Sequence, residues 1–122
     1  MKNILLVEDD SFLIDIYTTK MRESGFSVEV ASEGEEAVRK AKEEKFDLVL
    51  LDIVLPKVDG WDILRQIKAE SKLKDLKVII ISNLSQKEEV EKGMNLGAEK
   101  YLIKAHYTPS EVVKEIKEVL GE

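Results

Sequence analysis

Short apolar runs alternate with longer segments of mixed polarity along the whole chain. Five of these runs consist mostly of Val, Ile, Leu and Ala, which is typical of strands that are buried on both faces of a parallel sheet. The predicted strands are Asn3–Val7, Ser27–Ala31, Leu48–Leu51, Lys77–Ser82 and Lys100–Ile103.

Each predicted strand is followed by a segment with apolar residues at helical spacing. The first helix is predicted from Asp10 or Ser11 to about residue 23, and Gly25 provides a C-terminal stop. Further helices are predicted at about 33–43, 61–70 and 86–96, and from Pro109 onward, because proline suits a first helical turn. Five strand–helix rounds predict an α/β fold: a doubly wound five-stranded parallel sheet with helices on both faces.

Chemically reactive side chains follow four of the predicted strands. They are Glu8, Asp9 and Asp10 after the first strand, Asp52 after the third, Ser82 at the end of the fourth and Lys104 after the fifth. In a doubly wound sheet, ligands bind beyond the carboxyl ends of the strands. We therefore expect these side chains to form one site at that edge.

The residue types in this set suit phosphoryl transfer to a carboxylate. If the first and third strands are neighbours, Asp9 and Asp52 lie close together, and a hard divalent cation such as Mg²⁺ would offset their repulsion. Lys104 and Ser82 would donate to phosphoryl oxygens. Asp52 needs no general base, since aspartate is ionised at neutral pH. Its acyl phosphate could be hydrolysed by water, so the modification would be reversible.

Each of these residues also has an ordinary structural interpretation when it is considered alone. Acids near a helix start often cap the helix. An aspartate at a strand end often forms a turn, and a lysine after a strand is usually solvated. The prediction of a functional site therefore rests on the coincidence of all four strand ends at one edge of one sheet.

Composition narrows the possible partners and the location. The net charge of -6 argues against direct binding of nucleic acid or of an anionic membrane surface. The absence of cysteine excludes disulfides and thiolate chemistry. No apolar run is long enough for membrane insertion and no signal-peptide pattern is present, so we expect a cytoplasmic protein. The length of 122 residues suits a single domain, 1–122.

Four segments carry a family resemblance. They are ILLVEDD at the first strand, DIVLPKVDG from Asp52 to Gly60 with Pro56 and Asp59 in place, IIISN around Ser82, and GAEKYLIK from Gly97 to Lys104. Over essentially its whole length, the chain resembles the receiver domain of two-component response regulators, in particular stand-alone receivers of the chemotaxis-regulator type. The resemblance implies the flavodoxin-like receiver fold with strand order 2-1-3-4-5.

The resemblance also implies roles for the acidic residues. Asp52 would be the phosphoacceptor, and a histidine kinase or a phosphotransfer protein would be the donor. Asp9 would bind Mg²⁺ directly and Glu8 would bind it through water. The backbone carbonyl of Val54 would be a further ligand.

The remaining implied roles concern signal output. Ser82 and Lys104 would hold the phosphoryl oxygens, and Tyr101 would be an aromatic switch that turns inward when Ser82 moves. Without the resemblance, Tyr101 would be interpreted as an ordinary aromatic residue of a strand, with its side chain half-buried. The switching face would comprise the fourth helix, the fifth strand and the fifth helix, where the fourth helix is strongly charged and carries Gly93 inside it.

As a receiver, the chain would be a signalling module and not a conventional enzyme. It would phosphorylate itself from small donors in the presence of Mg²⁺ and slowly lose the phosphoryl group. It would act on a downstream effector protein, as a monomer or as a weak phosphorylation-dependent dimer. No output domain follows the fifth helix, which fits either a stand-alone receiver or a fragment of a longer protein.

The sequence departs from the family pattern at two positions. Ala105 follows Lys104 where the family usually has proline, often with a cis bond. A cis bond before a residue other than proline costs about 3–4 kcal/mol, so a trans bond and a different direction for Lys104 are open. Asn83 is bulkier than the usual residue after Ser82. Apolar Val54 and Leu84 flank the site, which favours slow attack by water.

Three alternatives compete with this interpretation. A flavin-binding protein of the same topology would need a phosphate-cradling loop after the first strand, where Glu8 and its acidic neighbours would instead repel phosphate. A phosphatase or phosphomutase with an aspartyl nucleophile would need an acid two residues after Asp52, where Val54 stands. A degenerate receiver that only binds partners would not need Ser82 and Lys104.

Overall fold

The computed structural model describes residues 1–55 and 59–122, and these residues form one parallel sheet with helices on both of its faces. Its strands are β1 (Asn3–Val7), β2 (Ser27–Ala31), β3 (Leu48–Leu51), β4 (Lys77–Ser82) and β5 (Lys100–Ile103). Their order is β2-β1-β3-β4-β5, and every pairing is parallel. The predicted doubly wound α/β fold and its strand order are confirmed.

Five α-helices connect or follow these strands within the described ranges. They are α1 (Ser11–Glu23), α2 (Gly34–Glu43), α3 (Gly60–Ala69), α4 (Lys87–Asn95) and α5 (Pro109–Leu120). Two short 3₁₀ turns, Ser71–Leu73 and Lys104–His106, were not predicted from the sequence. None of the described helices combines the length and the apolar composition that a bilayer crossing requires.

The strand residues are buried on both faces of the sheet, which explains their continuous apolar pattern. Successive side chains point to opposite faces, so Leu5 and Val7 pack in one core while Ile4 and Leu6 pack in the other. Helices α2 and α3 cover the first core, and α1 and α5 cover the second.

The sheet register aligns the carboxyl ends of the strands that carry the candidate site. Val7 pairs with Ala31 on one side and with Leu51 on the other. The backbone N–H of Asp52 donates to the carbonyl of Val7 at 3.0 Å, which continues this ladder by one residue. The acids after β1 and β3 therefore leave the sheet side by side.

Helix α4 packs unusually close to the sheet at Gly93. This glycine is the only residue of α4 that is buried. A Cβ atom at this position would lie 2.7 Å from Cδ1 of Ile80 and 3.0 Å from Cδ2 of Tyr101, so both side chains would have to shift to admit it. Glycine is unfavourable inside a helix, but at this position it allows α4 to contact β4 and β5.

Candidate functional site

Three carboxylates meet at the carboxyl ends of β1 and β3. Glu8 and Asp52 are only 1% and 4% exposed, whereas Asp9 is exposed at the surface. One carboxylate oxygen from each of these three residues lies within 4.8 Å of the others. The structure thus brings together the acids of two strand ends, as the adjacency of β1 and β3 requires.

Backbone N–H groups hold the two buried carboxylates in place. Oδ1 of Asp52 accepts a hydrogen bond from the N–H of Val54 at 3.0 Å. Oε2 of Glu8 accepts from the N–H of Asp9 at 3.2 Å. Asp10 instead caps α1, because its Oδ1 accepts from the N–H groups of the first helical turn, at 2.9 Å from Phe12.

Lys104 places its ammonium group between the two buried acids. Its Nζ atom lies 2.8 Å from Oε1 of Glu8 and 3.0 Å from Oδ2 of Asp52, and the side chain is 13% exposed. Burial favours a lower pKa for Lys104, but its hydrogen bonds and its charge attraction to Glu8 and Asp52 together outweigh burial and leave the pKa raised. Burial raises the pKa of Glu8, although the hydrogen bond from Lys104 opposes this shift. Within the described residues, the ammonium group of Lys104 thus contacts two of the three clustered carboxylates.

These side chains line an open pocket of about 390 Å³. Its lining is formed by Glu8, Asp9, Asp10, Asp52, Val54, Asn83 and Lys104. Val54 is 56% exposed and gives this pocket an apolar wall. An anion that enters the pocket would meet the ammonium group of Lys104, and a cation would meet the carboxylates.

Ser82 lies at the aligned end of β4 but is completely buried and does not contribute to the lining of this pocket. Its Oγ atom accepts a hydrogen bond from the N–H of Leu84 at 3.1 Å. The hydroxyl therefore supports the loop between β4 and α4 in this conformation.

Tyr101 connects β5 to the same loop. Its hydroxyl donates to the carbonyl of Leu84 at 2.7 Å, and its ring packs beside Gly93 of α4. Burial raises the pKa of the Tyr101 hydroxyl. Tyr101 thus joins the loop that begins at Ser82 to helix α4.

The two departures from the family pattern contact each other. The described residues contain no cis peptide bond, so the bond between Lys104 and Ala105 is trans. The N–H of Ala105 donates to Oδ1 of Asn83 at 3.1 Å. Sequence reasoning treated these residues separately and missed their contact. The sequence did contain a hint of this contact, because Ala105, unlike the usual proline, has a backbone N–H group that needs an acceptor.

Asp59 and Gly60, after the loop that follows Asp52, shape the start of α3. Oδ1 of Asp59 accepts from the N–H of Trp61 at 3.0 Å and caps α3. A Cβ atom at Gly60 would collide with the backbone of Ile53, so only glycine permits this close approach. Pro56, which contributed to the family resemblance, lies outside the described residues.

Comparison with known protein families identifies residues 4–117 with the response regulator receiver domain. The chain is 36% identical over 121 residues to the alkaline phosphatase synthesis transcriptional regulatory protein PhoP of Bacillus subtilis (strain 168), covering 98% of this chain and 48% of PhoP. The chain spans about half the length of the curated relatives that it matches.

Solved structures agree with this similarity. A CheY-like response regulator receiver domain protein from Methanospirillum hungatei JF-1 is 31% identical with a TM-score of 0.90, covering 99% of this chain and 94% of that chain. The receiver domain of sensor histidine kinase PA1611 from Pseudomonas aeruginosa PAO1, with a magnesium ion coordinated in its active site cleft, is 26% identical with a TM-score of 0.89. It covers 99% of this chain and 98% of that chain.

Proposed function

This chain belongs to the response regulator receiver domain family, and we propose that it accepts a phosphoryl group on Asp52 as a reversible signalling switch. The observation that carries the proposal is the ammonium group of Lys104, which lies within hydrogen-bonding distance of both Glu8 and Asp52 at the aligned strand ends. A nucleophilic carboxylate, nearby acids and a lysine are the groups that phosphoryl transfer to aspartate requires.

The donor set fits Mg²⁺. Carboxylate oxygens are hard ligands, and one from each of Glu8, Asp9 and Asp52 lies within the span of 4.8 Å. Asp9 would bind directly, Glu8 through water, and Val54 through its backbone carbonyl. When bound, Mg²⁺ would neutralise charge on the phosphoryl oxygens. The receiver domain of PA1611, which holds magnesium in its active site cleft, supports this assignment.

In the proposed transfer, a carboxylate oxygen of Asp52 forms a bond to the phosphorus atom of a phosphohistidine. The phosphorus–nitrogen bond to the donor imidazole breaks, and the released imidazole takes a proton from solvent. Lys104 and Ser82 donate hydrogen bonds to the phosphoryl oxygens, so that charge is stabilised in the transition state. Ser82 must give up its present contact with Leu84 to do so.

Return to the resting state occurs by hydrolysis. Water attacks phosphorus, the bond to Asp52 breaks and inorganic phosphate leaves. Val54 lines the pocket but its side chain offers no hydrogen-bonding group that could orient water. We therefore expect the chain to dephosphorylate itself slowly.

The proposed output is a rearrangement of the face formed by α4, β5 and α5. Movement of Ser82 toward the phosphoryl group would shift Leu84, and Tyr101 contacts both Leu84 and α4. The donor would be a histidine kinase or a phosphotransfer protein in the cytoplasm, and a downstream effector would bind the rearranged face. The chain would act as a monomer or as a weak phosphorylation-dependent dimer.

The test of this function is phosphorylation from a small donor. After incubation with Mg²⁺ and acetyl phosphate, intact-mass spectrometry should show the gain of one phosphoryl group. Asp52→Asn should abolish the gain, whereas Asp15→Asn, which changes an exposed aspartate on α1, should retain it. A phosphoryl group on Asp52→Asn would reject Asp52 as the acceptor.

Trp61 provides a test of the structural response. It is the single tryptophan of the chain, and Nζ of Lys92 on α4 lies 4.7 Å from its ring centroid. A shift of α4 should therefore change the emission of Trp61 on phosphorylation. The change should be absent in Asp52→Asn and reduced in Lys92→Met. Unchanged emission in a phosphorylated wild-type chain would contradict movement of α4 against α3.

A further inference from the structure

The peptide bond that follows Lys104 is held at both of its polar atoms. The carbonyl of Lys104 accepts from the N–H of Tyr107 at 3.4 Å, which closes the short 3₁₀ turn. On the other side of the same peptide, the N–H of Ala105 donates to Oδ1 of Asn83 at 3.1 Å. Because a peptide unit is planar, these two bonds fix the backbone from which the Lys104 side chain leaves.

The contact with Ala105 is one of two that tie the loop after β4 to the end of β5. Before Lys104, the hydroxyl of Tyr101 donates to the carbonyl of Leu84 at 2.7 Å. After Lys104, Ala105 donates to Asn83. Two consecutive loop residues thus hold the chain on both sides of Lys104, while Ser82 pairs with Ile103 in the sheet.

The contact depends on a backbone donor at position 105 and a side-chain acceptor at position 83. A proline at position 105 has no N–H group and could not donate. An alanine at position 83 has no side-chain acceptor. The contact therefore needs any residue except proline at position 105 and a side-chain acceptor at position 83.

We propose that Asn83 is a positioning residue, whose side-chain oxygen holds the Lys104–Ala105 peptide and so keeps the ammonium group of Lys104 directed at Glu8 and Asp52. The effect of Asn83 on phosphoryl binding rests on the proposed function, because Lys104 is the group that would bind the phosphoryl oxygens. Asn83 also lines the pocket, but the role proposed for it is exerted through the backbone of the turn.

The contact can be tested without phosphorylation. The Ala105 amide lies on an exposed residue, so Asn83→Ala should accelerate its hydrogen exchange by about fivefold in NMR measurements. Asn95→Ala, which changes another exposed asparagine, should leave this rate unchanged. Unaltered exchange in Asn83→Ala would overturn the proposal, and so would a crystal structure of that variant with Lys104 still bonded to Glu8 and Asp52.

The consequence can be tested with beryllofluoride, a phosphoryl mimic, in the presence of Mg²⁺. Asn83→Ala and Ala105→Pro should each weaken beryllofluoride binding by about three- to tenfold, and the double variant should be no weaker than the weaker single variant. Ala105→Gly keeps the N–H group, so its affinity for beryllofluoride should stay close to that of the wild type. Additive losses in the double variant would contradict a shared mechanism.

Binding of Mg²⁺ distinguishes positioning from general damage. A displaced Lys104 competes less for the carboxylates, so the affinity of Asn83→Ala for Mg²⁺ should be unchanged or higher. A parallel loss of both affinities would indicate a disrupted site and reject the positioning role. If wild-type protein binds no beryllofluoride, the proposed function fails, and the exchange rate and the crystal structure still decide the role of Asn83.

Discussion

Helices α4 and α5 pack on opposite faces of the sheet beside the edge strand β5, but they are anchored very differently. Helix α5 begins with a capping box, in which Thr108 accepts from the N–H of Glu111 at 3.1 Å and Glu111 accepts from the N–H of Thr108 at 2.8 Å. It ends at Gly121 in the left-handed region. Its own side chains Val112, Val113 and Ile116 are buried against the sheet.

Helix α4 lacks the capping box and the buried apolar side chains of α5, although Gly97 in the left-handed region closes its C-terminus in the same way. Gln86 at its N-terminus makes no side-chain capping hydrogen bond, and the residue that it buries is Gly93. Its other contacts include the ammonium group of Lys92 over the ring of Trp61. We therefore expect α4 to shift at a lower cost than α5.

The largest difference should appear when the same apolar group is removed from each helix. Val112→Ala on α5 deletes two buried methyl groups and should lower the free energy of unfolding by about 2 kcal/mol. Val90→Ala on α4 deletes the same groups from a half-buried position and should cost less than about 1 kcal/mol. Urea unfolding at constant m-value measures both, and equal losses would remove the contrast between the helices.

Gly93→Ala should have the next largest effect on stability, and it should destabilise the protein although alanine is the better helix former. Alanine is favoured over glycine in a helix by about 1 kcal/mol. The added Cβ would press against Ile80 and Tyr101, and the cost of this overpacking, less the gain in helix propensity, gives an expected net loss of up to about 2 kcal/mol in thermal or urea unfolding.

The matched control is Asn95→Ala at an exposed position of the same helix, which should change stability by less than about 0.5 kcal/mol. A stabilised Gly93→Ala variant would show that α4 can move away from the sheet at little cost. That result would strengthen the view of α4 as a mobile element and weaken the packing argument at Gly93.

Smaller effects of opposite sign are expected when a cap is removed from α5 and when one is added to α4. Thr108→Ala should destabilise the protein by about 1 kcal/mol, because the N-terminus of α5 loses an acceptor. Gln86→Ser should supply the missing acceptor to α4 and increase amide protection there, by a few tenths of a kcal/mol in hydrogen exchange. Slower exchange confined to α5 in Gln86→Ser would contradict the assignment of the cap.

The smallest effect concerns the ion pairs that join β5 to α5. Nζ of Lys100 lies 3.1 Å from Glu118 and 3.2 Å from Glu115. The hydrogen bond to Glu118 raises the pKa of Lys100, and the same bond lowers the pKa of Glu118. The lowered pKa of Glu118 contributes stability above the ordinary glutamate pKa, and this is lost as pH falls through the lowered value. The raised pKa of Lys100 contributes stability below the ordinary lysine pKa, and this is lost as pH rises through the raised value.

The stability difference between wild type and Lys100→Met should therefore be largest near neutral pH and should shrink at both extremes. Urea unfolding across the pH range, at low and at high salt, measures it. Lys87→Met removes the exposed pair with Glu91 within α4, 3.9 Å apart, and should show no such profile. A flat profile for Lys100→Met would show that these pairs do not anchor α5.

Local patterns were sufficient for most of the fold. The continuous apolar runs at Leu48–Leu51 and Lys77–Ser82 were predicted as strands with the bounds that the structure shows. Pro109 and Asp10 marked helix starts, because capping chemistry acts within a few residues. The short turn at Lys104–His106 was missed, since nothing in its three residues distinguishes it from the end of a strand.

The proximity of the acids and Lys104 could be predicted from the sequence, whereas their individual contacts and the burial of Ser82 away from the pocket could not. Strand ends at one edge of a parallel sheet indicated that Asp9, Asp52 and Lys104 would lie near each other. The sequence did not reveal that Asn83 would bond to Ala105, because that contact joins loops that are adjacent only after β4 and β5 have paired.

By itself, the sequence determined the order of the secondary-structure elements, the α/β class and which reactive side chains follow the strands. These depend on periodicity, capping and residue type, which act over short stretches of chain. Only the tertiary structure decided the tight packing at Gly93, the partners of Lys104 and the unequal anchoring of α4 and α5. Those features depend on distances between residues far apart in the chain, and packing fixes such distances only when the whole sheet has formed.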